Sequence, residues 1–218
     1  MMFRPASEII NNVPSRSSSV LMTGFVVIEG IDGCGKSSVA RLVAKRIGSR
    51  AVLTREPTES WIGRAVKRGS KKQISPYTDA LLFMADRVLH TERISEHLAK
   101  DKLVISDRYY HSTVAYQTAN LQRTFKGDAF RWLLEANLRI SLHPDLTVLL
   151  VIDPEAALER VGRRGRLSRF EKLGFLTKVH RNYLRLARID KSIVKVDASQ
   201  DLGTVVDEVL GLISRRKL

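Results

Sequence analysis

FVVIEGIDGCGKSS, residues 25–38, opens as a buried strand and ends in the first turn of a helix. Phe25-Val26-Val27-Ile28 is apolar and β-branched, the composition of a strand covered on both faces. It breaks into Gly30-Ile31-Asp32-Gly33-Cys34-Gly35-Lys36-Ser37-Ser38, which meets the P-loop pattern GxxxxGK(S/T) at every fixed position. Val39, Ala40, Leu42, Val43 and Ile47 then recur at helical spacing. The glycines Gly30, Gly33 and Gly35 allow backbone conformations that a Cβ forbids, so successive amide N–H groups can curl around phosphate oxygens. A helix beginning near Lys36 brings the positive end of its dipole to the same point. Lys36 has the reach for the β- and γ-phosphates of a bound ATP, and the Ser37 hydroxyl suits Mg²⁺. Cys34 occupies a variable position of the loop and reads as a small filler rather than a nucleophile.

Composition narrows the class. The 218 residues make one large domain with ample length for a core, and 44% hydrophobic with 28% charged content is ordinary for a globular chain. No run of eighteen or so apolar residues exists, so no membrane span is expected. Cys34 is the only cysteine, which excludes an internal disulfide and points to a reducing, cytoplasmic setting. The balance of 37 basic against 23 acidic residues gives +14, with basic stretches at 67–72, 160–169 and 215–217. No zinc finger or aromatic RNA-reading signature accompanies them, so phosphorylated small molecules explain the charge better than nucleic acid does.

Residues 1–22 read as a flexible N-terminal tail, with Pro5, Asn11, Asn12, Pro14 and a Ser15–Ser19 run but no signal-peptide core. An unused start upstream of Met22 explains them equally well. Residues 23–218 read as a single P-loop domain. After the first helix, Ala51–Thr54 is a second strand, stopped by Arg55-Glu56-Pro57-Thr58. Helical spacing resumes at Trp61, Ile62, Ala65 and Val66 and breaks at 69–73. A long helix runs from Ser75-Pro76 to about Lys100, with an apolar arc wide enough to bury two faces. Leu103–Asp107 is a third strand. Asp128–Ile140 is helical, Leu146–Ile152 is a fourth strand, and Asp153-Pro154-Glu155 starts a helix with Asp as its cap. Ile193–Val196 and Leu202–Ile213 close the chain as strand and helix. The fold class is therefore α/β, a five-stranded parallel sheet with helices on both faces. Ligands of such sheets gather at the carboxyl ends of the strands, where this sequence delivers Asp32, Lys36, Arg55, Asp107, Arg108 and Asp153.

Asp107 ends the strand LVISD in the manner of a Walker B carboxylate, placed to hold Mg²⁺ together with Ser37. Arg55 and Arg108 are guanidinium forks suited to a second phosphate. Arg160, Arg163, Arg164, Arg166 and Arg169 surround Gly162 and Gly165, the composition of a lid at about 160–170 that closes over phosphates and excludes water.

These motifs resemble thymidylate kinases. The resemblance runs from Phe25 to about Ile213 and rests on VIEGIDGCGKSS, TREPT (54–58), LLFMADRVLH (81–90), DRYYHSTVAYQ (107–117), PDLTVLLVIDPEAALER (144–160), RLSRFE (166–171) and IVKVDAS (193–199). It implies phosphorylation of dTMP to dTDP by ATP with Mg²⁺, on a homodimer. It further implies that Phe83 stacks on thymine and Arg87 bonds its edge, with Ser112 and Gln117 near the base. Tyr116 would pack against the deoxyribose and Asp32 would approach the 3′-hydroxyl. Arg55 and Arg108 would grip the monophosphate, and 197–199 would border adenine. Two departures stand out. Some members carry arginine in the P-loop where this chain has Gly33, which leaves that charge to the 160–169 arginines; Thr58 stands where many bacterial members have a glycine pair. The residues alone leave two alternatives open, a kinase for another deoxynucleotide or deoxynucleoside and a nucleic-acid-associated P-loop ATPase.

Overall fold

A computed structural model describes residues 23–70, 72, 74–122, 124–162 and 172–218. The tail expected at 1–22 and the lid arginines Arg163, Arg164, Arg166 and Arg169 lie outside the described residues. The sheet is parallel throughout. β1 (Gly24–Gly30) is central, flanked by β3 (Leu103–Asp107) and β4 (Leu146–Val151), with β2 (Ala51–Arg55) and β5 (Ile193–Asp197) at the edges. Burial follows that order: every residue of β1 and β3 is buried, whereas both edge strands are only partly covered. Central strands lose water on both faces, which explains their unbroken apolar composition.

Helices α1 (Lys36–Ile47), α2 (Trp61–Ser70), α3 (Pro76–Leu98), α4 (Tyr110–Leu121), α5 (Ala129–Ile140), α6 (Pro154–Gly162), α7 (Leu173–Ile189) and α8 (Leu202–Arg215) connect and cover the strands. One packed group pairs α1 with α8; the other joins α3, α4, α5 and α7. The expected strands and caps are present, including Asp153 Oδ1 accepting from the Glu155 N–H at 2.8 Å at the start of α6. Three features differ from expectation. Helices α4 and α7 have no counterpart in the sequence pattern as read. The 69–73 break begins only after Ser70, because α2 continues to that residue. Finally, the face of α3 turned into the protein is polar as well as apolar. Asp79, Asp86, Arg87 and His90 point inward, while Leu81 (54% exposed) and Val88 face outward.

The strand order places a topological switch between β1 and β3. From β1 the chain moves toward the β2 edge, and from β3 it crosses to β4 on the other side. A crevice forms outside the carboxyl ends of two such strands. Here those ends are Ile28–Gly30 and Asp107, held in register by the Ile28–Asp107 pairing. Among the described residues no helix is long and apolar enough to cross a membrane.

Candidate active site at the carboxyl end of the sheet

The glycine loop between β1 and α1 takes its shape from positive φ. Gly30, Gly33 and Gly35 have φ of 140°, 89° and 95°. At Gly33 a Cβ would also lie 2.1 Å from the Ala157 carbonyl oxygen of α6, so the loop rests directly on that helix. Gly35 is the N-cap of α1, and no side chain caps the helix there, which leaves its positive end open to an anion. Lys36 is buried. Its Nζ donates to the Ile31 carbonyl at 2.7 Å and stands 3.8 Å from Asp32 Oδ1. Cys34 is buried within the loop, and burial pushes its thiol pKa up, as befits a filler. Ser38 is half-buried, its N–H bonded to the Gly35 carbonyl at 3.0 Å.

Asp32 links this loop to β3. One carboxylate oxygen accepts from Arg108 Nη2; the other accepts from the Tyr116 hydroxyl at 2.9 Å. Burial raises its pKa, but the Arg108 and Lys36 charges outweigh that and hold the group below its usual range. Arg108 is correspondingly held well above its usual value: burial opposes its charge, and the Asp32 carboxylate more than compensates. Its backbone is in the left-handed region at φ 76°, unusual for a residue with a Cβ. Two hydrogen bonds fix it there, from the Arg108 N–H to the Ile28 carbonyl at 3.0 Å and from the Ser106 hydroxyl to the Arg108 carbonyl at 2.7 Å. The guanidinium lies 5.2 Å from the centre of the Tyr116 ring, a cation–π distance.

Beside them, the Ser37 hydroxyl donates to Asp107 Oδ2 at 2.5 Å, and Asp107 Oδ1 is buried with no partner among the described residues. An orphaned carboxylate oxygen next to a hydroxyl is a donor set that fits Mg²⁺, which takes one or two protein oxygens and phosphates. Arg55 is exposed at the end of β2, its Cα in register with Asp107.

The structure thus brings together Lys36, Asp32, Ser37, Asp107, Arg108, Tyr116 and Ser112. Other expected residues are engaged elsewhere. Arg87 is fully buried, donating to Glu56, to Asn137 Oδ1 at 2.6 Å and to Thr113 Oγ1 at 3.0 Å; only its Nε lacks a partner among the described residues. Gln117 donates to Asp79 Oδ2 at 3.3 Å and accepts from Asn120 Nδ2 at 3.1 Å. Phe83, four residues before Arg87 on α3, is half-buried. Ser112 contacts Arg108 Nη1 at 3.1 Å. Arg160 donates to the Ala198 carbonyl at 2.9 Å and so ties α6 to the turn after β5.

Residues that the sequence reasoning passed over complete the site. Asp86 accepts from the Thr58 N–H at 2.7 Å and the Ser60 hydroxyl at 2.8 Å, fixing the loop after β2. Glu56 accepts from Arg87 and contacts His90 Nδ1 at 2.9 Å. For Asp86 the signal was a charge with Leu82, Phe83 and Leu89 one helical turn away, the mark of a buried and partnered group; Glu56, between Arg55 and Pro57, carried no such signal.

A family model described as thymidylate kinase matches residues 28–209. Relatives named probable thymidylate kinase include that of Archaeoglobus fulgidus, 41% identical over 193 residues, covering 87% of this chain and 94% of the relative. That of Pyrobaculum calidifontis is 39% identical over 194 residues, covering 88% and 96%. Among solved structures, a thymidylate kinase from Candida albicans superposes with a TM-score of 0.74 over 90% of this chain and 94% of that one, at 24% identity, and shows the same fold.

Proposed function

The chain belongs to the thymidylate kinase family, a phosphotransferase converting dTMP to dTDP with ATP, and we propose that Lys36 and Arg108 flank the moving phosphoryl group in that transfer. The observation that carries this reading is the carboxylate of Asp32, whose Oδ1 accepts from the Arg108 guanidinium and lies 3.8 Å from the Lys36 ammonium, so that one oxygen joins the two cations. A donor cradle built of glycine and an acceptor cradle built of arginine then open on one crevice.

In this reading the loop 30–38 wraps the ATP phosphates and Lys36 neutralises charge on the β- and γ-oxygens. Arg108 and the exposed Arg55 grip the 5′-phosphate of dTMP. Ser37 and Asp107 would hold Mg²⁺, which supplies charge neutralisation on the donor phosphates when bound. The acceptor phosphate is already anionic, so no strong general base is called for; positioning and preorganised positive charge lower the barrier. Phe83 stacks on thymine, Arg87 bonds the base edge, and Gln117 lies beside the base. Ser112 serves through Arg108. Tyr116 packs against the sugar and Asp32 lies toward the 3′-hydroxyl. Arg163, Arg164, Arg166 and Arg169 close over the phosphates as a lid. We place the enzyme in the cytoplasm as a single domain, 23–218, behind a tail. It pairs into a homodimer through the outward Leu81 and Val88 of α3.

The test is an acceptor panel with ATP and Mg²⁺, using dTMP, dUMP, dCMP, dGMP and thymidine, with Lys36→Ala as control. Labelled dTDP from dTMP as the dominant product, lost in a folded Lys36→Ala protein, is the expected result. Near-normal turnover by that variant, or turnover that requires added nucleic acid, overturns the assignment.

A further inference from the structure

Glu29 is the one charged residue in the central strand, and it is fully buried. A carboxylate there survives only if its lone pairs are met. Four donors meet them, and all come from outside β1. Oε1 accepts the N–H groups of Tyr109 and Ser112 at 2.8 and 3.1 Å. Oε2 lies 2.7 Å from the Ser112 hydroxyl and 2.8 Å from the Tyr183 hydroxyl. Tyr109 is the N-cap residue of α4 and has no side-chain cap of its own, so Glu29 caps that helix from a neighbouring strand. Arg108 is the residue immediately before that cap.

The donor inventory makes the arrangement directional. Ser112 Oγ, Tyr183 Oη and Glu29 Oε2 form a triangle, the two hydroxyls 2.8 Å apart. Burial and the nearby Glu29 charge push the Tyr183 pKa well up, so its phenol stays protonated. Two hydroxyl hydrogens then serve three contacts, and the carboxylate can only accept. In every allowed assignment the Ser112 hydrogen points at Glu29 or Tyr183. A lone pair of Ser112 is therefore left facing Arg108 Nη1, 3.1 Å away.

We propose that Glu29 is a positioning residue for the acceptor-phosphate arginine, acting through Ser112 and the α4 cap, with Tyr183 of α7 as its second anchor. This rests on the assignment of Arg108 to the dTMP phosphate. Glu29→Gln keeps the shape but puts a donor where an acceptor must be. The Ser112 hydrogen is then driven off the amide, toward Tyr183 or toward the guanidinium, and the cap of α4 loses its charge.

The experiment is steady-state kinetics of Glu29→Gln, Tyr183→Phe and Arg108→Ala, and of the Glu29→Gln/Arg108→Ala double variant, varying dTMP and ATP separately. Wild-type conversion of dTMP first establishes the parent assignment; without it that assignment fails, whatever the variants do. Given it, Glu29→Gln should lower kcat/KM for dTMP by roughly 10- to 100-fold, the scale of a small misplacement of an aligning group. KM for ATP should stay within about twofold of wild type. Tyr183→Phe, which removes one hydroxyl and adds no wrong donor, should follow in the same direction with a loss of roughly 3- to 10-fold. The double variant should be little worse than Arg108→Ala alone, because residues acting through one contact are not additive. If both KM values move together, or if the two losses multiply, Glu29 is a structural residue of the core and the proposal is wrong.

Discussion

Two glycines of the phosphate loop should respond differently to the same methyl group. Gly33 and Gly35 have almost equal φ, 89° and 95°, so alanine at either pays the left-handed backbone cost of about 1–2 kcal/mol. Their surroundings differ. Around Gly35 nothing lies within 4 Å of an added Cβ, whereas at Gly33 the Cβ would sit 2.1 Å from the Ala157 carbonyl oxygen and 2.8 Å from its carbon. Those are backbone atoms of α6 and cannot rotate away. Either the loop or α6 must shift on the order of 1 Å, which adds about 1–3 kcal/mol, as overpacked cores show. Gly35→Ala should therefore cost about 1–2 kcal/mol in urea unfolding, a Tm loss of roughly 2–8 °C for a domain of this size. Gly33→Ala should cost about 2–5 kcal/mol and displace the backbone amides of the loop. Nucleotide-free unfolding curves and the KM for ATP measured on both variants make the comparison. Equal stability of the two would refute the claim that the loop is seated on α6.

Three further outcomes follow from buried charge and exposed apolar surface. Glu56→Ala leaves the Arg87 guanidinium and His90 without their carboxylate in a site where Arg87 is 0% exposed; it should cost about 3–5 kcal/mol in urea unfolding, and a change under 1 kcal/mol would sink the idea. Asp190 is pulled up by burial, but hydrogen bonds from His111 and the Ser192 N–H win and hold it well below the usual carboxylate range. A depressed folded pKa gives stability that is full above the unfolded value of about 4 and lost as pH falls below it, so Asp190→Asn should flatten the acid limb; parallel pH–stability curves would count against it. Leu81→Asp, at an exposed apolar position of α3, should shift sedimentation from dimer to monomer while leaving the Tm within a few degrees, and an unchanged sedimentation profile would argue against pairing through this helix.

Much of the fold was legible because the sheet is buried on both faces. Strands such as Phe25–Ile28 and Leu103–Ile105 leave no polar alternative, and turn residues bound them. The P-loop was legible for a different reason, since all three of its glycines answer to backbone geometry at positive φ, even though Gly30 and Gly33 answer to packing as well. Helix α4 was hidden by its own burial. Tyr110, His111, Thr113, Tyr116 and Gln117 all lie inside, so polar residues occupy the face where periodicity expects leucine or valine. Helix α7 carried a readable signal in Leu176, Val179, Tyr183 and Leu186, three and four residues apart, which the arginine-rich stretch before it overshadowed. The same inversion affected α3, whose inward charges look like a solvated face in one dimension. Arg87 and Gln117 illustrate what spacing withholds: the sequence puts Arg87 on one side of a helix with Phe83 but says nothing of Glu56, which meets it from another segment.

The ion pairs of the loop also explain how two cations coexist close together at the carboxyl end of the sheet. Lys36 and Arg108 would repel one another across the crevice, and neither can retreat, one buried in the loop and the other fixed at positive φ. Asp32 sits between them as a shared counterion, 3.8 Å from Lys36. A pair of unit charges at that distance interacts by about 4 kcal/mol at an effective dielectric near 20, before desolvation is subtracted. The Tyr116 hydroxyl and its own N–H hold Asp32 in place, at 2.9 and 3.0 Å. On the proposed assignment, an incoming phosphate therefore does not meet bare, fully hydrated cations. It displaces a carboxylate from groups that are already aimed, and part of the ordering cost has been met during folding.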